Sequence, residues 1–474
     1  MRGLGLAGAG LGAAAATMPV FHDLDEVAAA STGNAKRPWY IKEREAFDPT
    51  TPVDWGVMKP HSPTTLNCYG AAYMNMSPEA RAQLFTEAKE KNLQRLKNDT
   101  PGFGKREWAL YKGFHYQSVK PLGPHMFMGI PQIQDLAQTP EKMGYPRWSG
   151  TPEQNSAMVR TVARWAGFST VGFIPVNEKT KKLMFTNEFL GKRVLFENVD
   201  ESYEAADKQV IPEKFKTAVV CTWRQSPPLT KIAPTHISSA CGANTCLGVD
   251  GPATNMLGFF KGLGYPATTM GAGGYVPKPA FGVMAGLGEL GRLKICLTPE
   301  FGALCRATSV FFTELPVVYT NPIDFGAREF CKSCAKCAET CPGQALQHEK
   351  EPSWDITPED PNNSYLKPAA FNRPGIETWH VNHHKCAVAW KQDEGECNLC
   401  IGLCVFSKLN AASIHDVIKG TVASTTLLNG FFFNMDKAFG YGPPEGPEIA
   451  NDFFNLGYKL PEYGVFQSRD AYGV

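Results

Sequence analysis

Eight cysteines between residues 331 and 404 carry the chemistry that this sequence is able to do. Cys331, Cys334, Cys337 and Cys341 run as C-x2-C-x2-C-x3-C, and Pro342 follows directly. Cys386, Cys397, Cys400 and Cys404 then run as C-x10-C-x2-C-x3-C. Thiolates at these spacings hold 4Fe-4S cubes, and in the two-cluster arrangement the fourth cysteine of a run crosses over to the other cube. Crossover predicts Cys331, Cys334, Cys337 and Cys404 on one cluster, with Cys386, Cys397, Cys400 and Cys341 on the other. Zinc is the competing reading of C-x2-C pairs, but a structural zinc takes four ligands and leaves the C-x3-C-P ending without a role.

Elements that position such a centre must lie outside it, because most of the 474 residues do. The cysteine segment, 326–410, is similar to bacterial ferredoxins. A carrier alone needs little more than that segment, so the rest of the chain argues for a catalytic site with its own cofactor. Residues 150–325 read as a layered α/β core. Thr151, Pro152 and Gln154 make a capping box, with Met158, Val162, Trp165 and Ala166 expected on the buried face of the helix that follows. Val171–Pro175 and Thr217–Trp223 read as strands, the second too continuously apolar for an exposed edge. Helical patterns follow at Asn255–Leu263 and Phe281–Ala285.

Between them the glycine-rich stretch Gly271, Gly273 and Gly274, followed by Tyr275, lets backbone approach a ligand closely. These four residues are candidates for cofactor contact, with a plain loop as the alternative. No G-x-G-x-x-G or P-loop pattern occurs, which argues against a dinucleotide bound in that way. Residues 31–149 read as an aromatic-rich wrapping region with one helix, Ser77–Leu96, capped by Ser77 and Pro78 and showing Leu84, Ala88 and Leu93 at helical spacing. Trp108–Tyr116 and Pro121–Pro131 read as loops. Residues 411–474 form a tail expected to pack on the core.

Charge excludes one class of partner. Lys plus Arg (47) balances Asp plus Glu (46), a net charge of +1, so nothing draws the chain to nucleic acid. The six cysteines outside the two runs (Cys68, Cys221, Cys241, Cys246, Cys296, Cys305) show no disulfide framework and read mostly as small buried hydrophobes. No later stretch is long and apolar enough for a transmembrane helix. Residues 1–30 do read as a processing segment: Arg2, an apolar Gly/Ala run, then small residues at Ala28–Ala30. A weakly hydrophobic run of this kind suits the twin-arginine route, with Arg2 the one arginine visible.

With these residues in view, the chain resembles the corrinoid-dependent reductive dehalogenases over nearly its whole length. The resemblance rests on Gly286-Leu-Gly-Glu-Leu-Gly-Arg292, on Thr298-Pro-Glu-Phe-Gly302 leading to Arg306, on Pro322-Ile-Asp-Phe-Gly326 leading to Cys331, and on both cysteine runs. The Asn429–Met435 tail and the Gly-Ala-Gly leader look most like the trichloroethene and vinyl chloride branch.

The family implies an α+β chain: a nitroreductase-like α/β core holding a base-off corrinoid (a cobamide), with an inserted bacterial-type ferredoxin domain carrying the two 4Fe-4S clusters. It implies loss of halide from a small halogenated organic substrate in organohalide respiration. It also implies export to the outer face of the cytoplasmic membrane, peripheral attachment through a small membrane-anchor subunit, and a membrane electron-donating chain. Arg306 matches the arginine that steers substrate and supports the proton donor, and a guanidinium keeps its charge at any working pH. Where the family's donor tyrosine is expected, this chain has Cys246. The donor is then Cys246, Tyr275 or water. An epoxyqueuosine reductase-like enzyme and a non-enzymatic ferredoxin-type subunit are the two other readings.

Overall fold

The computed structural model describes residues 38–62, 76–119, 125–128, 137–188, 191–270, 276–305, 307–358, 368–408, 414–439, 442 and 453–455. In chain order, the elements that matter below begin with helices α1 (Pro78–Lys97), α2 (Lys105–Val119) and α3 (Pro152–Trp165). Then come strands β1 (Thr170–Pro175), β2 (Arg193–Glu197), β3 (Tyr203–Glu204), β4 (Lys208–Pro212) and β5 (Thr217–Trp223). Helices α4 (His236–Leu247) and α5 (Asp250–Gly262), strand β6 (Ala267–Met270), helix α6 (Lys278–Met284), the hairpin β7 (Glu289–Leu290) with β8 (Cys296–Leu297), and strand β9 (Ala307–Thr313) complete the middle of the chain. The cysteine segment carries α7 (Ala327–Ser333), α8 (Lys336–Glu339), α9 (His383–Gln392) and α10 (Leu399–Gly402), and α11 (Ile414–Ser424) and α12 (Asn429–Ala438) follow it.

The central sheet has the order β1-β5-β9-β6 with every neighbour antiparallel, so β5 is an interior strand as its unbroken apolar run requires. All seven of its residues are buried. Side chains alternate across a strand, which gives β5 two faces with different partners. Ala218 and Val220, with Val310 and Phe312 of β9, pack against Phe281 of α6 and Ile211 of β4. Val219, Cys221 and Trp223, with Phe311, pack against Val159 and Ala163 of α3 and Met256, Leu257 and Phe260 of α5. The result is a mixed helix and strand fold with helices on both faces of one sheet. A second sheet, β2-β4-β3, adds one parallel and one antiparallel pairing. Truncating Phe311 to alanine at this centre would cost about 3–5 kcal/mol.

Local signals for capping hold, while two apolar faces turn out rotated. Thr151 and Gln154 form the reciprocal capping box of α3, and Ser77 Oγ accepts from Ala80 N at the start of α1. On α3 the buried line is Asn155, Val159 and Ala163, and Trp165 is 87% exposed, so the expected face is displaced by one residue. On α1 the four-residue step from Leu84 and Ala88 leads to buried Asn92, leaving Leu93 48% exposed. In both helices polar side chains take part in the buried seam, which a count of apolar residues passes over.

Residues 108–116, expected as loop, are helical within α2. Trp108 and Tyr111 stand three apart on one side of that helix and close on His236 of α4, whose ring lies 4.9 Å from Trp108 and 5.4 Å from Tyr111 in a stacked pair. Phe103 completes the enclosure at 5.1 Å. The helix is decided by this aromatic seam with α4 rather than by an apolar stripe of its own. Residues 121–124 and 129–131 of the second expected loop lie outside the described residues, and His125–Met128 form a short helix. Among the described residues no helix is long and apolar enough to cross a membrane.

Enclosure of His236 predicts an acid-labile joint. Burial pushes its pKa down from 6.5 to about 4, with Arg95 and Lys112 adding repulsion, so the folded chain keeps it neutral where the unfolded chain takes up a proton. A lowered histidine pKa leaves stability intact above 6.5 and removes it as pH falls from 6.5 toward 4, here by about 3 kcal/mol in full. Urea unfolding midpoints measured across that window should fall with pH, and the slope should be shallower in His236→Phe.

Candidate metal centres

Four of the eight cysteines share one buried core. Cys331 lies in the last turn of α7, Cys334 caps that helix by donating its N–H to Phe330 O, Cys337 is in α8, and Cys404 follows α10. All four are buried among Phe301, Leu304, Phe330 and Phe406. Their thiols are electrostatic neighbours: Cys337 feels Cys331, Cys334 and Cys404, and also Cys400 of the second run. Burial, first, and these neighbours, second, push the thiol of Cys337 well above its ordinary value, and burial pushes Cys331 up to about 12. Thiols held this way stay protonated until a metal binds the sulfur and displaces the proton to solvent.

What aims this group is the β7–β8 hairpin. Arg292, 1% exposed, donates from Nη2 to Cys331 O at 2.7 Å, from Nε to Cys334 O at 3.1 Å, and from Nη1 to Gln347 O and Glu349 O at 2.7 Å each. Its guanidinium lies 4.7 Å from the ring centre of Trp379, which donates to the same Glu349 O. Three residues earlier, Glu289 accepts from Phe325 N, Ala327 N and Arg328 N at the N-terminal end of α7, and from Thr50 Oγ1. An anion here meets the free N–H groups and positive end of the helix that carries Cys331. The Gly-Leu-Gly-Glu-Leu-Gly-Arg segment is therefore a clamp on both ends of the first cysteine helix.

The other four cysteines, Cys341, Cys386, Cys397 and Cys400, line a cavity of about 360 Å³ together with mainly apolar side chains from α6 and the hairpin. Two cations also line it, Lys294 and Arg373. Cys341 and Cys400 also pack against the buried core of the first four, and Cys337 and Cys400 are electrostatic neighbours, so the two groups adjoin. Among the described residues no three His, Cys, Asp or Glu side chains converge on the position of a single ion. Cys221, Cys241, Cys296 and Cys305 are buried, as the sequence suggests, with thiols pushed up by burial. Cys68 lies outside the described residues.

Of the remaining candidates, Cys246 is described, half-buried in the last turn of α4. Arg306, Gly271, Gly273, Gly274 and Tyr275 lie outside the described residues, so no distance joins Cys246 to Arg306. Their chain neighbours do meet in the sheet: Ala307, first in β9, pairs with Trp223, and Met270, last in β6, pairs with Val310. At this end β5 runs into Arg224, Gln225 and Ser226, all buried, with Arg224 5.3 Å from the ring centre of Phe301. Ser226 Oγ and Ser309 Oγ are buried there with no hydrogen-bond partner among the described residues. Sequence reasoning passed over this Arg-Gln-Ser triplet, and over Lys294 and Arg373. A polar triplet set directly after a wholly apolar strand is the signal that would have found the first.

Comparison with known proteins gives one consistent result. The family described as reductive dehalogenase subunit matches residues 36–317, more than half of the chain. The chain is 30% identical to the chloroethene reductive dehalogenase of Dehalococcoides mccartyi strain VS, over 93% of each protein. It is 29% identical to a trichloroethene reductive dehalogenase from another strain of that species, over 94% of each. The tetrachloroethene reductive dehalogenase of Sulfurospirillum multivorans is 29% identical over 61% of this chain and 58% of its own.

Among solved structures, the catabolic reductive dehalogenase NpRdhA in complex with 3-bromo-4-hydroxybenzoic acid shares the fold, with a TM-score of 0.54 and 18% identity over 84% of this chain. A reductive dehalogenase structure described in terms of B12-dependent dehalogenation matches equally, at 0.54 and 19%. The chain spans about half the length of these two solved chains.

Because Arg292 satisfies four main-chain carbonyls, those of Cys331 and Cys334 in buried hydrogen bonds, Arg292→Lys should lose most of that network, since an ammonium has three donors and no planar fork. Leaving those acceptors unmet should cost about 3–5 kcal/mol. Thermal unfolding and iron content of the variant check this, with both expected to drop and Glu289→Gln to show a smaller loss in the same direction.

Proposed function

The chain belongs to the reductive dehalogenase family, and from that premise we propose that it removes halide from a small chlorinated ethene or ethane with electrons delivered through two 4Fe-4S clusters to a base-off corrinoid. The observation that carries this reading is the division of the eight cysteines: Cys331, Cys334, Cys337 and Cys404 in one buried core, and Cys341, Cys386, Cys397 and Cys400 around one cavity. These are the two sets that crossover spacing requires for two cubes. Soft thiolates in an apolar setting suit iron–sulfur chemistry, and Cys337 of one set is an electrostatic neighbour of Cys400 of the other.

In this reading residues 150–325 are a nitroreductase-like core, 326–410 an inserted ferredoxin-type domain, 31–149 a wrapping region, 411–474 a tail packed on the core, and 1–30 the remnant of a twin-arginine export signal. The corrinoid would be held by Gly271, Gly273, Gly274 and Tyr275, which follow β6 in the chain. The buried hydroxyls of Ser226 and Ser309, without a partner among the described residues, fit a polar group near the end of the central sheet, since a buried hydroxyl without a partner is costly. When bound, the corrinoid supplies the Co(I) centre at which the carbon–halogen bond is cleaved.

The chain's own part is to exclude water, orient the substrate and deliver one proton. Arg306 would fix the substrate through a charge that a guanidinium keeps at any working pH. Cys246 is the candidate for the acid, because it stands in the sequence where the family's donor tyrosine is expected. The chloroethene substrate of the 30% identical relative supports the substrate class. Attachment to the outer face of the cytoplasmic membrane, through a small anchor subunit fed by a membrane electron-donating chain, belongs to the same proposal.

Metal analysis of purified protein tests the reading directly: about eight irons and one cobalt per chain are expected, with chloride released from a chloroethene under strong reductant. Cys337→Ser and Cys397→Ser should each lose iron and activity together, and eight irons kept in either would sink the cluster assignment. Cys246→Ala should lower turnover by about 10²-fold or more with iron and cobalt unchanged. Wild-type rates in that variant would pass the proton to Tyr275 or to water.

A further inference from the structure

The cavity lined by Cys341, Cys386, Cys397 and Cys400 has an unusual charge balance. Two of its lining residues are cations, Lys294 and Arg373, and among the described residues no aspartate or glutamate lines it. Arg373 is turned toward backbone, donating to the carbonyls of Leu183, Lys59, Lys182 and Met184. Lys294 is different. An ammonium carries three donors, and the hydrogen bond seen for Lys294 goes to Asn372 Oδ1 at 3.0 Å.

Its backbone is also out of the ordinary. Lys294 sits at the tip of the β7–β8 hairpin with φ of 56°, its N–H closing the turn onto Gly291 O. That left-handed region suits glycine or asparagine, and a lysine held there costs about 1 kcal/mol or more. Burial alone, with no carboxylate to oppose it, pushes its pKa down to about 7. A strained, desolvated ammonium facing an apolar cavity is expensive unless an anion occupies that cavity.

We propose that Lys294 is the buried counter-charge of the second cluster and sets its reduction potential, a positioning role that rests on the cluster assignment above. A cube held by four thiolates is anionic, and taking up one electron from the first cluster adds one negative charge without making or breaking a bond. An anionic cube beside Lys294 favours its protonated form, and that cation stabilises the reduced state of the cube more than the oxidised one, with little screening in a low-dielectric cavity. Lys294 thereby raises the potential of this cluster relative to one without such a neighbour. The electron is drawn toward the cavity.

Redox titration of the purified holoenzyme, followed by electron paramagnetic resonance, reads this directly. In Lys294→Met, with iron content unchanged, one of the two clusters should show a reduced-to-oxidised ratio at least tenfold lower at a given applied potential, about 59 mV for one electron. The other should titrate as in the wild type. Lys294→Arg should keep the wild-type potential.

If Lys294→Met loses iron, Lys294→Gln carries the test, since it retains the hydrogen bond to Asn372 and lacks the charge. Wild-type midpoints in the neutral variants, or equal shifts in the neutral and arginine variants, would overturn the proposal. A wild-type protein holding fewer than two clusters would instead overturn the cluster assignment itself, so the two failures are distinguishable.

Discussion

A guanidinium with 1% exposure, donating to four main-chain carbonyls, is the contact on which the cysteine region depends. A cysteine-rich segment built of short helices and turns cannot satisfy all of its backbone groups within a regular helix or sheet. Carbonyls of Cys331 and Cys334 are left without helical partners, and buried acceptors of that kind are costly. Arg292 meets two of them and ties in Gln347 and Glu349 from farther along the chain. Glu289 does the complementary work on the N–H groups at the other end of α7. The hairpin that supplies both residues therefore joins the α/β core to the cysteine region through hydrogen bonds as well as packing.

The same hairpin serves both cysteine groups. Its Glu289 and Arg292 hold the first, and Lys294 at its tip lines the cavity of the second. The groups differ in how charge is managed. Beside the first, Lys336, which lies between Cys334 and Cys337, pairs with buried Asp436 of α12, and Lys408 joins the same carboxylate. The C-terminal helix is thus tied to the first cysteine motif by a buried ion network, and breaking one partner of such a network costs more than the network's net contribution. Among the described residues, no carboxylate lines the second cavity.

Aromatic packing secures the opposite side of the core. Phe103, Trp108 and Tyr111 enclose the His236 ring, while Ser239 of the same helix exchanges hydrogen bonds with Glu396 N and O, the residue before Cys397. Helix α4 consequently connects the wrapping region to the second cysteine run. This gives α2 a reason to be helical that its own sequence does not display, and makes neutral His236 part of the support of the cysteine region.

Spacing along the chain settled what depends on neighbours in sequence. The two cysteine runs, the capping box at Thr151, the cap at Ser77 and the interior strand Thr217–Trp223 were legible because cluster motifs, helix caps and strand alternation are local rules. The layering of helices on the central sheet follows from the apolar runs. Other features were decided by residues distant in sequence: α2 as a helix, the rotation of the buried faces of α1 and α3, the clamp formed by Glu289 and Arg292, and the cavity where Lys294 meets Cys341, Cys386, Cys397 and Cys400. The physical reason is common to them. Each is a polar or aromatic group whose burial is tolerable only beside a particular partner, and that partner is chosen when the chain is folded.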